Sequence, residues 1–206
     1  MTVPAPRRRI LCFGDSNTYG YDPRSFLGDR YPAQVRWTGI LNAVPGWALL
    51  NHGENGREVP FRPGELARVD SLLDRAGRLD CVTVMLGSND LLQNPEFSAE
   101  DVADRMEGFL RRLADHPVIR DGGTRLLLIA PPPMVPGAWV GEARLLTQSA
   151  RLGGCYGALA QRLGIAFADA GNWGVGLTFD GVHFSEAGHR AFAAGAEAAL
   201  RPLLEG

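Results

Sequence analysis

Five short apolar runs, spaced along the whole chain and each followed by an amphipathic stretch, constrain the fold more than any other feature of this sequence. The runs are Ile10-Leu11-Cys12-Phe13, Trp47-Ala48-Leu49-Leu50, Cys81 to Leu86, Leu126-Leu127-Leu128-Ile129 and Ile165-Ala166-Phe167. They are nearly continuous in apolar character, without polar alternation, as strands covered on both faces require. Between them, Trp37, Ile40, Leu41 and Val44 fall at helical spacing, with Pro32 expected near the helix start. Leu66, Val69, Leu73 and Ala76 make a second stripe. Ser98 to Asp101 reads as a capping box ahead of Val102, Met106, Phe109 and Leu113. A longer stripe runs from Leu145 to Leu163, interrupted by Gly153-Gly154, and Ser185 can cap a last helix carrying Phe192, Ala196 and Leu200. Repeated β-α units with right-handed crossovers predict an α/β fold: a three-layer α/β/α sandwich on a five-stranded parallel sheet. No linker or repeat divides residues 1–206, so one domain is expected.

In such sheets ligands gather beyond the carboxyl ends of the strands. The segments there are rich in polar residues. Ser16 lies in Gly14-Asp15-Ser16-Asn17-Thr18-Tyr19-Gly20 after the first run, where a serine can present its hydroxyl and its N–H to a ligand. Asp15, Ser16 and Asn17 are equally at home as turn and cap residues. Asn51 to Arg57 follows the second run, and its glycines, Gly53 and Gly56, allow the close backbone approach that an N–H donor to an oxyanion needs. Asn89 follows the third run in Gly87-Ser88-Asn89-Asp90 and offers a side-chain amide. Asp180-Gly-Val-His183 precedes the last helix, and a carboxylate three residues before a histidine can hold one imidazole tautomer by accepting its Nδ1 proton. His116, before Pro117, reads as a helix terminator, and His189 falls inside the last helix.

Composition removes several chemistries. All 21 basic side chains are arginines, which excludes Schiff-base catalysis and Walker-type phosphate binding, since both need lysine. The net charge of -2 gives no basic excess for tracking nucleic acid. Cys12, Cys81 and Cys155 form neither a disulfide framework nor a thiolate metal site. The N-terminal residues lack the apolar stretch of roughly 7–15 residues of a signal peptide, so a cytoplasmic address is expected, with no membrane span.

Taken together, GDSNTYG (14–20), NHGENGRE (51–58), VMLGSND (84–90) and DGVHFSEAGH (180–189) resemble the SGNH, or GDSL-type, serine hydrolase family across nearly the whole chain. The resemblance implies a flavodoxin-like sandwich, Ser16 as nucleophile, Asp180 and His183 completing a triad, and Ser16, Gly56 and Asn89 as oxyanion donors. Gly53, three residues from Gly56, is the alternative glycine. VRWTGIL (35–41), NGRE (55–58) and APPP (130–133) further resemble the bacterial arylesterase/acyltransferase branch. Asn17 stands where GDSL has leucine, and Ser88 where the family commonly has threonine. The implied reaction is hydrolysis or transfer of short acyl groups through an acyl-serine, on a small-molecule ester, with no cofactor and no metal. Thioesterase, lysophospholipase and carbohydrate acetylesterase activities share the same residues, and a flavin- or nucleotide-binding module shares the fold. The expected rim comprises Tyr19 to Tyr31, Leu91 to Phe97 and Pro131 to Gly141, with Trp139 and Trp173 as apolar walls. Such a rim also suits a contact between subunits of a homo-oligomer.

Overall fold

The computed structural model describes residues 7–25, 27 and 29–205. Met1 to Pro6, part of the stretch read for a leader, and Phe26 and Gly28 of the expected rim lie outside the described residues. The strands are β1 (Arg8–Gly14), β2 (Trp47–Gly53), β3 (Cys81–Met85), β4 (Arg125–Ala130) and β5 (Ala166–Asp169), so each apolar run became a strand. They form one parallel sheet in the order β2-β1-β3-β4-β5. The helices are α1 (Ser16–Tyr19), α2 (Trp37–Asn42), α3 (Pro63–Ala76), α4 (Ser88–Gln93), α5 (Ala99–Asp115), α6 (Pro117–Arg120), α7 (Ala143–Leu163) and α8 (Glu186–Glu205).

Side-chain alternation along the central strands divides the core in two. Leu11, Phe13, Val82, Val84 and Leu128 face α3, α5 and α7, where Leu73, Phe109, Leu152 and Tyr156 are buried. Ile10, Cys12, Cys81, Leu127 and Ile129 face the other way, onto Trp37 and Leu41 of α2 and Phe192, Ala196 and Leu200 of α8. Burial pushes the Cys12 thiol up to about 12, as befits a cysteine acting as an apolar filler. The edge strands β2 and β5 are only half-buried. That is the physical limit of the two-faced reading: an edge strand has a neighbour on one side only.

The capping box of α5 is present, with Ser98 Oγ accepting from the Asp101 N–H at 3.2 Å and Asp101 Oδ2 accepting from the Ser98 N–H at 2.8 Å. Gly153-Gly154 does not break α7, and the bare Gly153 lets that helix pass close to the Asp169 carboxylate. Pro32 is not at the start of α2; that helix begins at Trp37 after a separate turn in which the Val35 N–H donates to the Pro32 carbonyl. Trp173 is no wall of the site. Its indole packs edge-on against Phe192, 5.0 Å between centroids, and against Gly195 of α8. Leu91 is buried in the core, so the segment from Leu91 to Phe97 contributes less rim than expected.

Gly14 at the end of β1 pairs with Gly53 on one side and Met85 on the other. The chain leaves β1 toward β2 in one direction, and β3 lies in the other. The crevice at such a reversal is where open α/β sheets bind ligands.

Candidate active site

β1 ends at Gly14, and Asp15 caps the four-residue helix α1 by accepting the Asn17 N–H at 2.9 Å. This puts Ser16 at the first helical position, facing the crevice. Asp15 itself is buried, and that burial pushes its carboxyl up to about 6, against the opposing pull of the Asn17 N–H and of His183 and Arg57. The last segment before α8 comes back over the same edge. Gly181 adopts φ 83°, a left-handed conformation that turns the chain tightly between Asp180 and His183.

Asp180 is fully buried and held on every side. Its Oδ1 accepts from the N–H of Val182, the N–H of His183 and the Thr178 hydroxyl, each at 2.9 Å. Its Oδ2 lies 2.7 Å from His183 Nδ1. Burial alone would raise this carboxyl; the hydrogen bonds from His183 and Val182 outweigh it and hold the group down at about 2. An ionised carboxylate only accepts, so the Nδ1 of His183 carries the proton and Nε2 presents its lone pair. That Nε2 lies 3.0 Å from Ser16 Oγ, joining residues 167 apart in sequence. Ser16, Asp180 and His183, all buried, therefore form one continuous chain of hydrogen bonds.

Two aromatic rings flank the imidazole. Tyr21 is 4.7 Å from it between centroids, and Trp139 meets it edge-on at 5.0 Å while remaining 53% exposed. Of the expected walls, Trp139 is at the site and Trp173 is not. The loop bearing Trp139 is tied to the Asp180 segment by backbone bonds from Val135 to Gly181, Ala138 to Phe179 and Trp139 to Asp180, at 3.0–3.1 Å.

The two remaining loops are braced by arginines. Arg57 donates to the carbonyls of Gly14, at 2.7 Å, and His52, while its guanidinium covers the Phe13 ring at 4.2 Å. Its own carbonyl accepts Asn89 Nδ2 at 3.1 Å, so the loops after β2 and β3 are in direct contact. Asp90, next to Asn89, is buried and accepts from the Val59 N–H at 3.0 Å and from Arg105 at 3.0 Å. Burial dominates there and pushes Asp90 up to about 6, opposed by those two donors. Arg105 also reaches Glu58 at 3.4 Å and is sandwiched between Phe61 and Phe97.

The two candidate glycines differ. Gly53 donates its N–H to Asn51 Oδ1 at 3.0 Å, and a Cβ there would collide with the backbone of Thr18 and Tyr19. Gly56 adopts φ 73° in an open turn, with space around its Cα. A cavity of about 390 Å³ lies behind this turn, lined by His52, Arg57, Arg62, Arg68 and Arg75; neither Ser16 nor His183 lines it.

The other histidines have local duties. His116 closes α5 and caps α6 by accepting the Val118 N–H at 3.3 Å, as expected. His189 is buried in α8 against Tyr31 and Phe184, and burial pulls it down to about 4. Tyr21, within the expected rim, does stand at the site, whereas three residues around it had no functional reading in the sequence: Asn17, Thr178 and Arg105. Each acts across the fold or on a carboxylate of another segment, except Thr178, whose spacing of two from Asp180 was a local signal.

Residues 12–191 match the GDSL-like lipase/acylhydrolase family. No functionally curated protein matches the chain in sequence. Among solved structures, a protein assigned as an arylesterase from Agrobacterium tumefaciens str. C58 superposes with a TM-score of 0.85 at 30% identity, over 96% of this chain and 100% of that one. The native aryl esterase of M. smegmatis gives 0.84 at 28% identity, with 96% and 100% covered. A carbohydrate acetylesterase family member from Sinorhizobium meliloti gives 0.83 at 28%, with 97% and 100% covered. The segment that carries Ser16, Gly56, Asn89, Asp180 and His183 lies wholly within the matched span. The chain belongs to the GDSL-like lipase/acylhydrolase family and is a carboxylic ester hydrolase.

Proposed function

We propose that this protein is a serine esterase that removes small acyl groups from carboxylic esters through an acyl-serine intermediate. The observation that carries the reading is the unbroken contact from Asp180 through His183 to Ser16, at 2.7 and 3.0 Å. In this reading His183 takes the Ser16 proton as Oγ attacks the ester carbonyl, and Asp180 stabilises the imidazolium so formed. The tetrahedral oxyanion accepts from the N–H groups of Ser16 and Gly56 and from the Asn89 amide. Gly56 is preferred to Gly53 because the Gly53 N–H is already engaged by Asn51. Asn89 Nδ2 sits on the Arg57 carbonyl, so that carbonyl orients the amide at rest. His183 then protonates the leaving alcohol, and its Nε2 activates water, or an acceptor alcohol, to release the acyl group from Ser16.

Asn89→Ala is expected to lower kcat by about 10²–10³ with KM within a few-fold, because an oxyanion donor acts mainly in the transition state. Steady-state kinetics decide it; a KM increase with kcat untouched would move Asn89 out of the oxyanion site.

The arylesterase and acetylesterase relatives, together with Tyr21 and Trp139 beside His183, favour a small acyl group and an aromatic or ring-shaped leaving group. With p-nitrophenyl esters from acetate to palmitate, kcat/KM should peak between acetate and butyrate and fall at least tenfold by octanoate. A maximum at long chains would overturn the small-acyl reading. A flavin-binding module of the same fold leaves the Asp180–His183–Ser16 contacts without a task.

A further inference from the structure

The GDSL signature carries leucine where this chain carries Asn17, and the structure gives that amide a specific task. Asn17 Nδ2 donates to the Val182 carbonyl at 3.1 Å, and Asn17 Oδ1 accepts the Phe184 N–H at 2.8 Å. Val182 and Phe184 are the residues on either side of His183. Asn17 is the residue after Ser16. We propose that Asn17 is a positioning residue, whose carboxamide acts as an inserted peptide unit and fastens the backbone on both sides of His183 to the segment bearing Ser16. The proposal rests on the reading of Ser16 and His183 given above.

Three observations support it. Asn17, Val182 and Phe184 are all buried, at 4%, 6% and 0% exposure, so water does not substitute for these bonds. The orientation is unique, because reversing the amide would set its NH₂ against the Phe184 N–H and its oxygen against the Val182 carbonyl. The clamp is itself anchored: the Asn17 N–H donates to Asp15 Oδ1 at 2.9 Å, and its carbonyl accepts Trp37 Nε1 at 3.1 Å from the fully buried Trp37. Asp180 sets the imidazole from its Nδ1 side. Asn17 sets how far the whole His183 backbone stands from Ser16, and so fixes the 3.0 Å separation of Nε2 and Oγ.

A leucine side chain branches at the same atom but is bulkier, with neither donor nor acceptor. Misplacing a reacting group by about 1 Å costs about 10² in rate. Asn17→Leu is therefore expected to lose about 10² in kcat with KM within threefold, and to lose or broaden the downfield proton resonance of His183 Nδ1–H in NMR spectra. Asn17→Asp supplies the sharper signature. Its ionised carboxylate can accept from Phe184 but cannot donate to Val182; once protonated it offers one donor and one acceptor again. Its activity relative to wild type should rise as pH falls, a recovery that a merely space-filling residue would not show.

A folded Asn17→Leu enzyme with kcat within twofold of wild type and an intact downfield resonance overturns the proposal, as does a change confined to KM. If Asn17→Leu does not fold, a flat pH profile of the Asn17→Asp to wild-type activity ratio overturns it. A wild-type protein that shows the resonance, loses it in Asn17→Leu and yet cleaves no ester would sustain the positioning role and refute the esterase reading instead.

Discussion

Ser16→Ala is expected to lower kcat on p-nitrophenyl acetate by about 10⁶, to a residual rate owed to substrate binding and the proposed oxyanion donors alone. The magnitude follows from the proposed division of labour. Without Oγ there is no acyl-enzyme, and the Asp180–His183 pair has only water to activate, in a site shaped for attack from position 16. Removing a hydroxyl that contacts His183 Nε2 leaves the fold intact, so the melting temperature should stay within a few degrees of wild type. The check is pre-steady-state kinetics: wild type releases p-nitrophenol in a burst matching the enzyme concentration, and Ser16→Ala shows none. Undiminished turnover in a pure Ser16→Ala preparation would mean that another group attacks the ester.

Asp180→Asn is expected to cost about 10⁴ in kcat near neutral pH. An amide can take the place of the carboxylate without steric change, and its oxygen can still accept from Val182, His183 and Thr178 at the Oδ1 position. The Oδ2 position becomes an NH₂ group, which cannot accept from Nδ1–H. The imidazole then adopts the other tautomer, pointing a proton rather than a lone pair at Ser16, and no anion remains to stabilise the imidazolium. KM should change little. The wild-type carboxyl, held at about 2, stays ionised at any pH where the enzyme is assayed, so loss of wild-type activity on mild acidification reports other groups, not Asp180. A variant retaining a tenth of wild-type kcat would show that orientation by the backbone suffices and that the charge contributes little.

Much of this arrangement could be read from the chain before any coordinates, because it is written in local signals. The five strands announced themselves as apolar runs, and four of the five proposed site residues follow a strand or precede the last helix in a recognisable block. The fifth, Gly56, could not be separated from Gly53 until a hydrogen bond to Asn51 and a collision with α1 distinguished two glycines three apart. Helices α1 and α4 were not legible because their short segments open with turn and cap residues, Asp15-Ser16-Asn17 and Gly87-Ser88-Asn89, and carry no apolar stripe. Trp173 was misplaced since a tryptophan near a strand end looks the same whether it turns toward the crevice or under α8. Asn17 and Arg105 escaped for a third reason: their partners lie 165 and 15 residues away, and nothing in the neighbouring sequence marks a side chain that braces a distant loop.

The backbone ladder that ties the Trp139 loop to the Asp180 segment has an evolutionary corollary. Trp139 donates its N–H to the carbonyl of Asp180 itself, and a side chain at Gly137 would press on Asp180 and Gly181. The loop that flanks the imidazole and the turn that holds its carboxylate partner are thus mechanically one part. An insertion or deletion in that stretch would shift Asp180 with it, whereas exchanging the exposed side chains of Val135 or Trp139 leaves the backbone bonds in place, and this is the route to a new preference that the fold leaves open.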